Sequence, residues 1–208
     1  MFDIFEELAA IRRQVGRDDT ADTVTVTVRR TYRADADDVW EALTTPERLG
    51  RWFSPVTGDL KPRGTFHIEG NASGEIMVCD RPAVLQGTFG GPESIVEVRL
   101  HEQGAETTVE LTHTVPLAMA GSGAGALFVG PGWDGMLLGL SGFLRGDAVG
   151  DPVVWANTPE VIEFNKGAIS SWTEVVEGSG TATADDIAGA REAAVAQYTT
   201  MPSDEAVG

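Results

Sequence analysis

Gly130-Pro131-Gly132-Trp133-Asp134-Gly135-Met136-Leu137-Leu138-Gly139-Leu140-Ser141-Gly142-Phe143-Leu144-Arg145 is the stretch on which the fold turns. On a helix of about 3.6 residues per turn, Trp133, Leu137, Leu140 and Leu144 fall on one line, with Met136 and Phe143 beside them. Gly132, Gly135, Gly139 and Gly142 form a second line, and Asp134, Ser141 and Arg145 a third. Each interior glycine costs about 1 kcal/mol against alanine. A whole line of them predicts that something packs close to the backbone, whether a curved sheet, an added helical hairpin or a bound molecule. Asp134 reads as a carboxylate near the helix N-terminus, favourably placed in its dipole rather than poised as a base.

Outward from this helix, composition sets bounds. The 208 residues with 42% hydrophobic content suffice for one large domain with an appendage. A net charge of −17, from 32 acids against 15 bases, repels phosphate backbones and anionic lipid surfaces, so no nucleic-acid partner is expected. Cys79 stands alone, which excludes an internal disulfide and suits a reducing compartment. The opening MFDIFEELAAIRRQVG places acids before arginines, the reverse of a secretory signal, and predicts a cytoplasmic protein. Val115 to Leu144 carries one charge, Asp134, but its eight glycines and two prolines argue against a membrane span.

In chain order, Phe2 to Val15 has Phe2, Phe5, Leu8 and Ile11 nearly in helical register, and a polar linker from Gly16 to Asp22 follows. Thr23 to Arg33 alternates Val24, Val26 and Val28 with Thr25, Thr27 and Arg29, a half-buried strand. Asp35 caps one short helix through Val39, Trp40 and Leu43, and Thr45 with Pro46 starts a second that carries Trp52 and Phe53. From Val56 to Thr114 the pairs Phe66/Ile68, Ile76/Val78, Leu85/Phe89, Val96/Val98 and Val109/Leu111 recur at a period of two. They predict an antiparallel meander with one apolar face, followed by a glycine-rich loop from Ala118 to Gly130. Beyond Asp151, Thr158-Pro159 starts a helix with Val161, Phe164, Ala168, Trp172 and Val175 at helical spacing. Gly178 to Gly180 turns it, and a Thr183/Asp186 capping box opens a second.

These elements share one core only if the sheet curls around the long helix. Their order, with the strings Val39-Trp40-Glu41-Ala42-Leu43-Thr44, Pro46-Glu47-Arg48-Leu49, Arg51-Trp52-Phe53, Gly64-Thr65-Phe66, Gly74-Glu75-Ile76, Arg81-Pro82 and Gly132-Trp133, resembles the START-like (SRPBCC) superfamily, in the branch related to the activator of heat-shock chaperone ATPase. The resemblance covers roughly Thr23 to Gly146. It implies an α+β helix-grip fold: a curved antiparallel sheet around a long C-terminal helix, with two short helices after the first strand and here an added helical hairpin. The expected division is an N-terminal helix and linker (1–22), the helix-grip domain (23–150) and a helical extension (151–208) packed on the domain or on a second subunit. The resemblance also implies a cavity between sheet and helix that often takes apolar small molecules, and it fixes no single activity.

The walls of that cavity should come from Trp52, Phe53, Phe66, Ile68, Ile76, Phe89, Val98, Leu111, Trp133, Leu137 and Leu140. His113 keeps the parity of Val109 and Leu111, which places an imidazole on the apolar face where it could orient a ligand, move a proton or simply sit satisfied in the core. Glu75 alternates with Ile76 and should face outward. Three histidines and one cysteine without paired spacing predict no metal site. No phosphate loop or dinucleotide fingerprint is present, and Gly121-Ser122-Gly123 falls short of a nucleophile elbow, so no cofactor and no catalytic set is expected. Three functions stand open at this point. One is non-catalytic binding of a small apolar molecule. The second is a co-chaperone-like or regulatory module that contacts a chaperone or another protein, with a homodimer through the helical extensions. The third is a cyclase or hydrolase built on His113.

Overall fold

In the computed structural model, residues 2–147 and 150–200 are described. Residue 1, residues 148–149 and residues 201–208 fall outside that set, so the end of the expected extension is not covered. The elements are α1 (Ile4–Ala9), β1 (Arg12–Asp18), β2 (Thr23–Tyr32), α2 (Ala36–Thr44), α3 (Pro46–Leu49), β3 (Val56–Gly58), β4 (Thr65–Ile68), β5 (Ser73–Asp80), β6 (Val84–Thr88), β7 (Ile95–Gln103) and β8 (Glu106–Pro116). Then follow α4 (Leu117–Ala120), a 3-10 turn (Gly123–Gly125), α5 (Ala126–Leu144), α6 (Pro152–Ala156), α7 (Pro159–Ser179) and α8 (Ala184–Thr199).

The strands form one antiparallel sheet in the order β1-β2-β8-β7-β6-β5-β4-β3. Its concave face carries α5, whose Leu127, Leu137, Leu138 and Leu140 are fully buried. Burial of one such leucine contributes about 1.5–3 kcal/mol. This is the helix-grip architecture with the long helix inside the curl. On the far side of α5 lie α7 and α8, started by the expected caps: the Thr158 hydroxyl accepts from the Val161 amide, and Thr183 and Asp186 form a reciprocal capping box.

Three expectations need correction. The N-terminal helix stops at Ala9, and Arg12–Asp18, half of it assigned to a linker, is an edge strand paired from Arg12 opposite Arg29 to Asp18 opposite Thr23. The two short helices therefore follow the second strand. Ile11 and Val15 point into the core, and Arg13 between them also points inward, to a buried carboxylate. An arginine at the middle of an inward alternation hid the strand period. The long helix starts at Ala126, not at Gly130, so Pro131 lies inside it and Asp134 sits more than two turns from its start. Finally, β5 shifts register between Ile76 and Val78. The bulge turns Val78 out to solvent and brings Cys79 toward the core, against the simple Ile76/Val78 alternation.

Candidate functional site

Between the sheet and the middle of α5 lies a cavity of about 170 Å³. Trp52 and Phe53 close one end; they stand in the turn after α3, whose last residue is Leu49, rather than on the helix itself. The Trp52 indole is held by donation to the Ala42 carbonyl at 3.1 Å. Phe66, Ile68, Ile76, Val98 and Leu111 project from β4, β5, β7 and β8, while Phe89 enters from the end of β6 and Trp133 from α5. Leu137 and Leu140, expected on the same wall, lie elsewhere. They are sealed in the core, and the Tyr32 hydroxyl on β2 donates to the Leu137 carbonyl at 3.0 Å. Of α5, Trp133 and Met136 face the cavity, while Leu137 and Leu140 are buried in the core. Leu43, Leu49, Val56, Leu60, Leu85, Val96 and Met136 complete the lining. Period and helical spacing pointed to Leu85, Val96 and Met136 as core, but Leu60 sits in a loop with no pattern to reveal it.

Polar atoms in this lining are few and mostly engaged. Thr44 donates to the Trp40 carbonyl at 2.6 Å, the Gln86 amide donates to Glu97 at 2.9 Å, and Thr88 Oγ1 accepts from the Glu75 amide at 2.8 Å. Gln86 and Thr88 pair with Glu97 and Ile95, so their side chains share the outer face of the sheet, opposite to that of Val96, Val98 and Leu111. The described lining holds no charged side chain, so a charged ligand would lose its hydration without compensation.

His113 is 4% exposed and stands behind the cavity wall rather than on it. Its ring meets Phe89 and Trp133 edge-on, with centroids 5.8 and 5.7 Å away. The Trp133 indole donates to Nδ1 at 3.3 Å, so Nε2 must carry the proton and donate to Ser94 Oγ at 2.8 Å. Burial pushes the imidazole pKa down to about 4, which keeps it neutral. In this arrangement Nε2 cannot take a proton from Ser94, and an indole replaces the carboxylate that would orient a catalytic histidine. The trio ties α5 to β8 and the β6–β7 turn. Glu75 is exposed, as expected. Ser122 accepts from the Ala124 amide at 3.3 Å and so caps the 3-10 turn.

A second polar cluster gathers the Asp134, Ser141 and Arg145 line of α5 with partners from α1, β1, β2 and α7 that no spacing revealed. Asp134 is completely buried; its Oδ2 accepts from Arg13 Nε at 2.7 Å and from the Trp172 indole at 3.1 Å. Burial pushes its carboxyl up to about 7, against the opposing pull of Arg13 and Trp172. The reading of Asp134 as a helix-terminus carboxylate is therefore wrong: it is the buried tie between β1, α5 and α7. Beside it, Glu7 bridges Arg30 at 2.5 Å and Arg145 at 2.8 Å, and both arginines donate to Ser141. Among the described residues, no three His, Cys, Asp or Glu side chains cluster as metal ligands. Gly123–Leu144 is long and apolar enough to cross a membrane by composition, yet 67% of its apolar 18-residue window is buried inside the protein.

A family model described as "Activator of Hsp90 ATPase homolog 1-like protein" matches residues 33–145. The crystal structure of CalU16 from Micromonospora echinospora is 34% identical, covers 80% of this chain and 98% of its own, and superposes with a TM-score of 0.66. The solution structure of the same protein gives 33%, 82%, 97% and 0.67. A conserved protein of unknown function from Enterococcus faecalis, EF2215, shares the fold at 16% identity, with 83% and 96% coverage and a TM-score of 0.60. No curated protein matches the chain.

Proposed function

The chain belongs to the Activator of Hsp90 ATPase homolog 1-like family, and from that premise we propose that it binds a small, neutral, largely apolar molecule between sheet and α5 without transforming it. The observation that carries this reading is the apolar cavity of about 170 Å³. An engineered apolar cavity of about 150 Å³ stays dry and takes up benzene. The matching ligand is thus one aromatic ring or a compact alicycle, and a steroid-sized skeleton is too large for the room. The reading is non-catalytic because the one buried imidazole near the cavity is neutral, and the hydrogen bonds at both its nitrogens hold it.

The test is a thermal-shift and native-mass screen with one-ring probes that carry no hydrogen-bond donor, such as toluene, anisole and cyclohexanone. A probe at a hundred times its Kd should stabilise the fold by about 2.7 kcal/mol. Val98→Phe, which fills the cavity, should abolish the shift while the protein stays folded. If no probe shifts the wild type, or if the variant responds equally, the reading is wrong.

A further inference from the structure

We propose that a second cavity, on the side of α5 covered by the C-terminal helices, is a separate binding site for a neutral planar molecule that carries hydrogen-bond donors. This cavity measures about 270 Å³ and is lined from α5, α6, α7 and α8. Among the described residues, only Trp52, Phe53 and Met136 line both cavities, so these three side chains form the partition between them. The proposal stands on this second cavity alone and does not depend on what the first one binds.

The shape follows from the glycine line of the long helix. At Gly130 a Cβ would lie 2.4 Å from the Trp172 ring, and at Gly139 it would lie 3.0 Å from the Trp52 carbonyl oxygen. At Gly135, which lines the second cavity, a Cβ would meet nothing within 4 Å. There the helical hairpin bridges over the backbone instead of pressing on it. Trp155 and Phe53 add aromatic walls, and Tyr198 is fixed by donation from its hydroxyl to the Phe128 carbonyl at 2.6 Å. Bare backbone on one side and rings on the others make a slot suited to a flat molecule.

The recognition chemistry follows from the two half-buried amides of the lining, the third, Gln197, being exposed. Asn165 Nδ2 donates to the Tyr198 carbonyl at 3.0 Å, and Asn157 Nδ2 donates to the Val153 carbonyl at 2.7 Å. Each side chain is half-buried in the lining and keeps its Oδ1 as an unused acceptor. The described lining contains no charged side chain, so anions and metal ions find no counter-charge there. A phenol or lactam-like N–H or O–H on an aromatic frame meets both requirements.

The experiment uses the full chain labelled with 15N and titrated with 2-naphthol. Among the tryptophans, Trp155 lines only the second cavity and Trp133 only the first, so their indole signals report separately. The Trp155 signal should move along a saturable curve. Gly135→Leu should weaken that curve at least tenfold and leave the Trp133 indole signal of the free protein in place. Val98→Phe should leave the Trp155 curve within twofold. Naphthalene, which lacks the donor, should bind at least tenfold more weakly at Trp155. An immobile Trp155 signal at millimolar probe overturns the proposal. So does an unchanged Trp155 curve in Gly135→Leu, or loss of the Trp155 response in Val98→Phe, which would mean one site seen through the partition. Equal affinity for naphthalene overturns the assignment of donor recognition. Should Gly135→Leu fail to fold, Ile162→Trp fills the same cavity and is judged by the same criteria.

Discussion

Two buried titratable groups set opposite pH trends. His113 is pushed down to about 4, while the imidazole of an unfolded chain titrates near 6.5. Its contribution is therefore complete above about pH 6.5 and is lost as pH falls through 4, because the unfolded state takes up the proton first. Asp134 is pushed up to about 7, so its contribution is present at low pH and lost as pH rises from about 4 through 7. Between these limits the two offset each other. Removal of the imidazole by His113→Gln should unmask this: wild-type stability relative to the variant, from urea melts, should fall by about 3 kcal/mol from pH 7 to pH 4. A flat difference would mean that the ring titrates alike in both states. For the other pair, Arg13→Met leaves the Asp134 carboxyl buried without its cation. Such a loss costs about 3–5 kcal/mol where the acid is ionised. The same melts should show that cost at pH 8 and a much smaller one at pH 5, where the carboxyl is protonated. Neither role was readable from the sequence. The parity of His113 placed it inward, but its Ser94 and Trp133 partners arrive from 19 and 20 positions away, and the cation on Asp134 comes from 121 positions away.

Among the elements, α5 shows how one motif can hold two meanings. Its glycines look equivalent at helical spacing, yet Gly130 is pressed by Trp172 and Gly135 faces open space. Gly135→Ala should raise stability by about 0.5–1 kcal/mol through helix propensity alone. Gly130→Ala should lower it by about 1–3 kcal/mol, because the indole that binds Asp134 must move. Guanidinium melts of the two variants should shift in opposite directions; shifts of the same sign would contradict these packing assignments. Strands were legible wherever valine or isoleucine alternated with threonine, as in Thr23–Tyr32. They were not legible at β1, where Arg13 occupies an inward position, nor at the β5 bulge, where one extra residue exchanges the faces of Val78 and Cys79. Periodicity reports which face a residue occupies only while inward residues are apolar and the register is unbroken.

Across the whole molecule a single apolar cluster runs from Val24, Val28 and Leu111 of the sheet through Leu127 and Leu140 of α5 to Phe164, Ile169 and Trp172 of α7. The C-terminal helices thus belong to the same core as the sheet. A chain cut after residue 150 should lose near-UV circular dichroism and bind the dye ANS, because Asp134 and the Gly130 face lose their cover. A truncated chain that kept a cooperative melt would show that the helices are a detachable cap. The helix-grip order, the caps of the late helices and most of the apolar wall were already present in the sequence, because each rests on spacing within a short window. The existence and size of the two cavities, the partition that Trp52, Phe53 and Met136 make between them, and the pairing of Arg13 with Asp134 were decided only in three dimensions. Each depends on how α5 and the C-terminal helices pack against the curled sheet and on residues far apart in the chain. No local pattern encodes that packing; it is set by how side chains from several elements fill one shared volume.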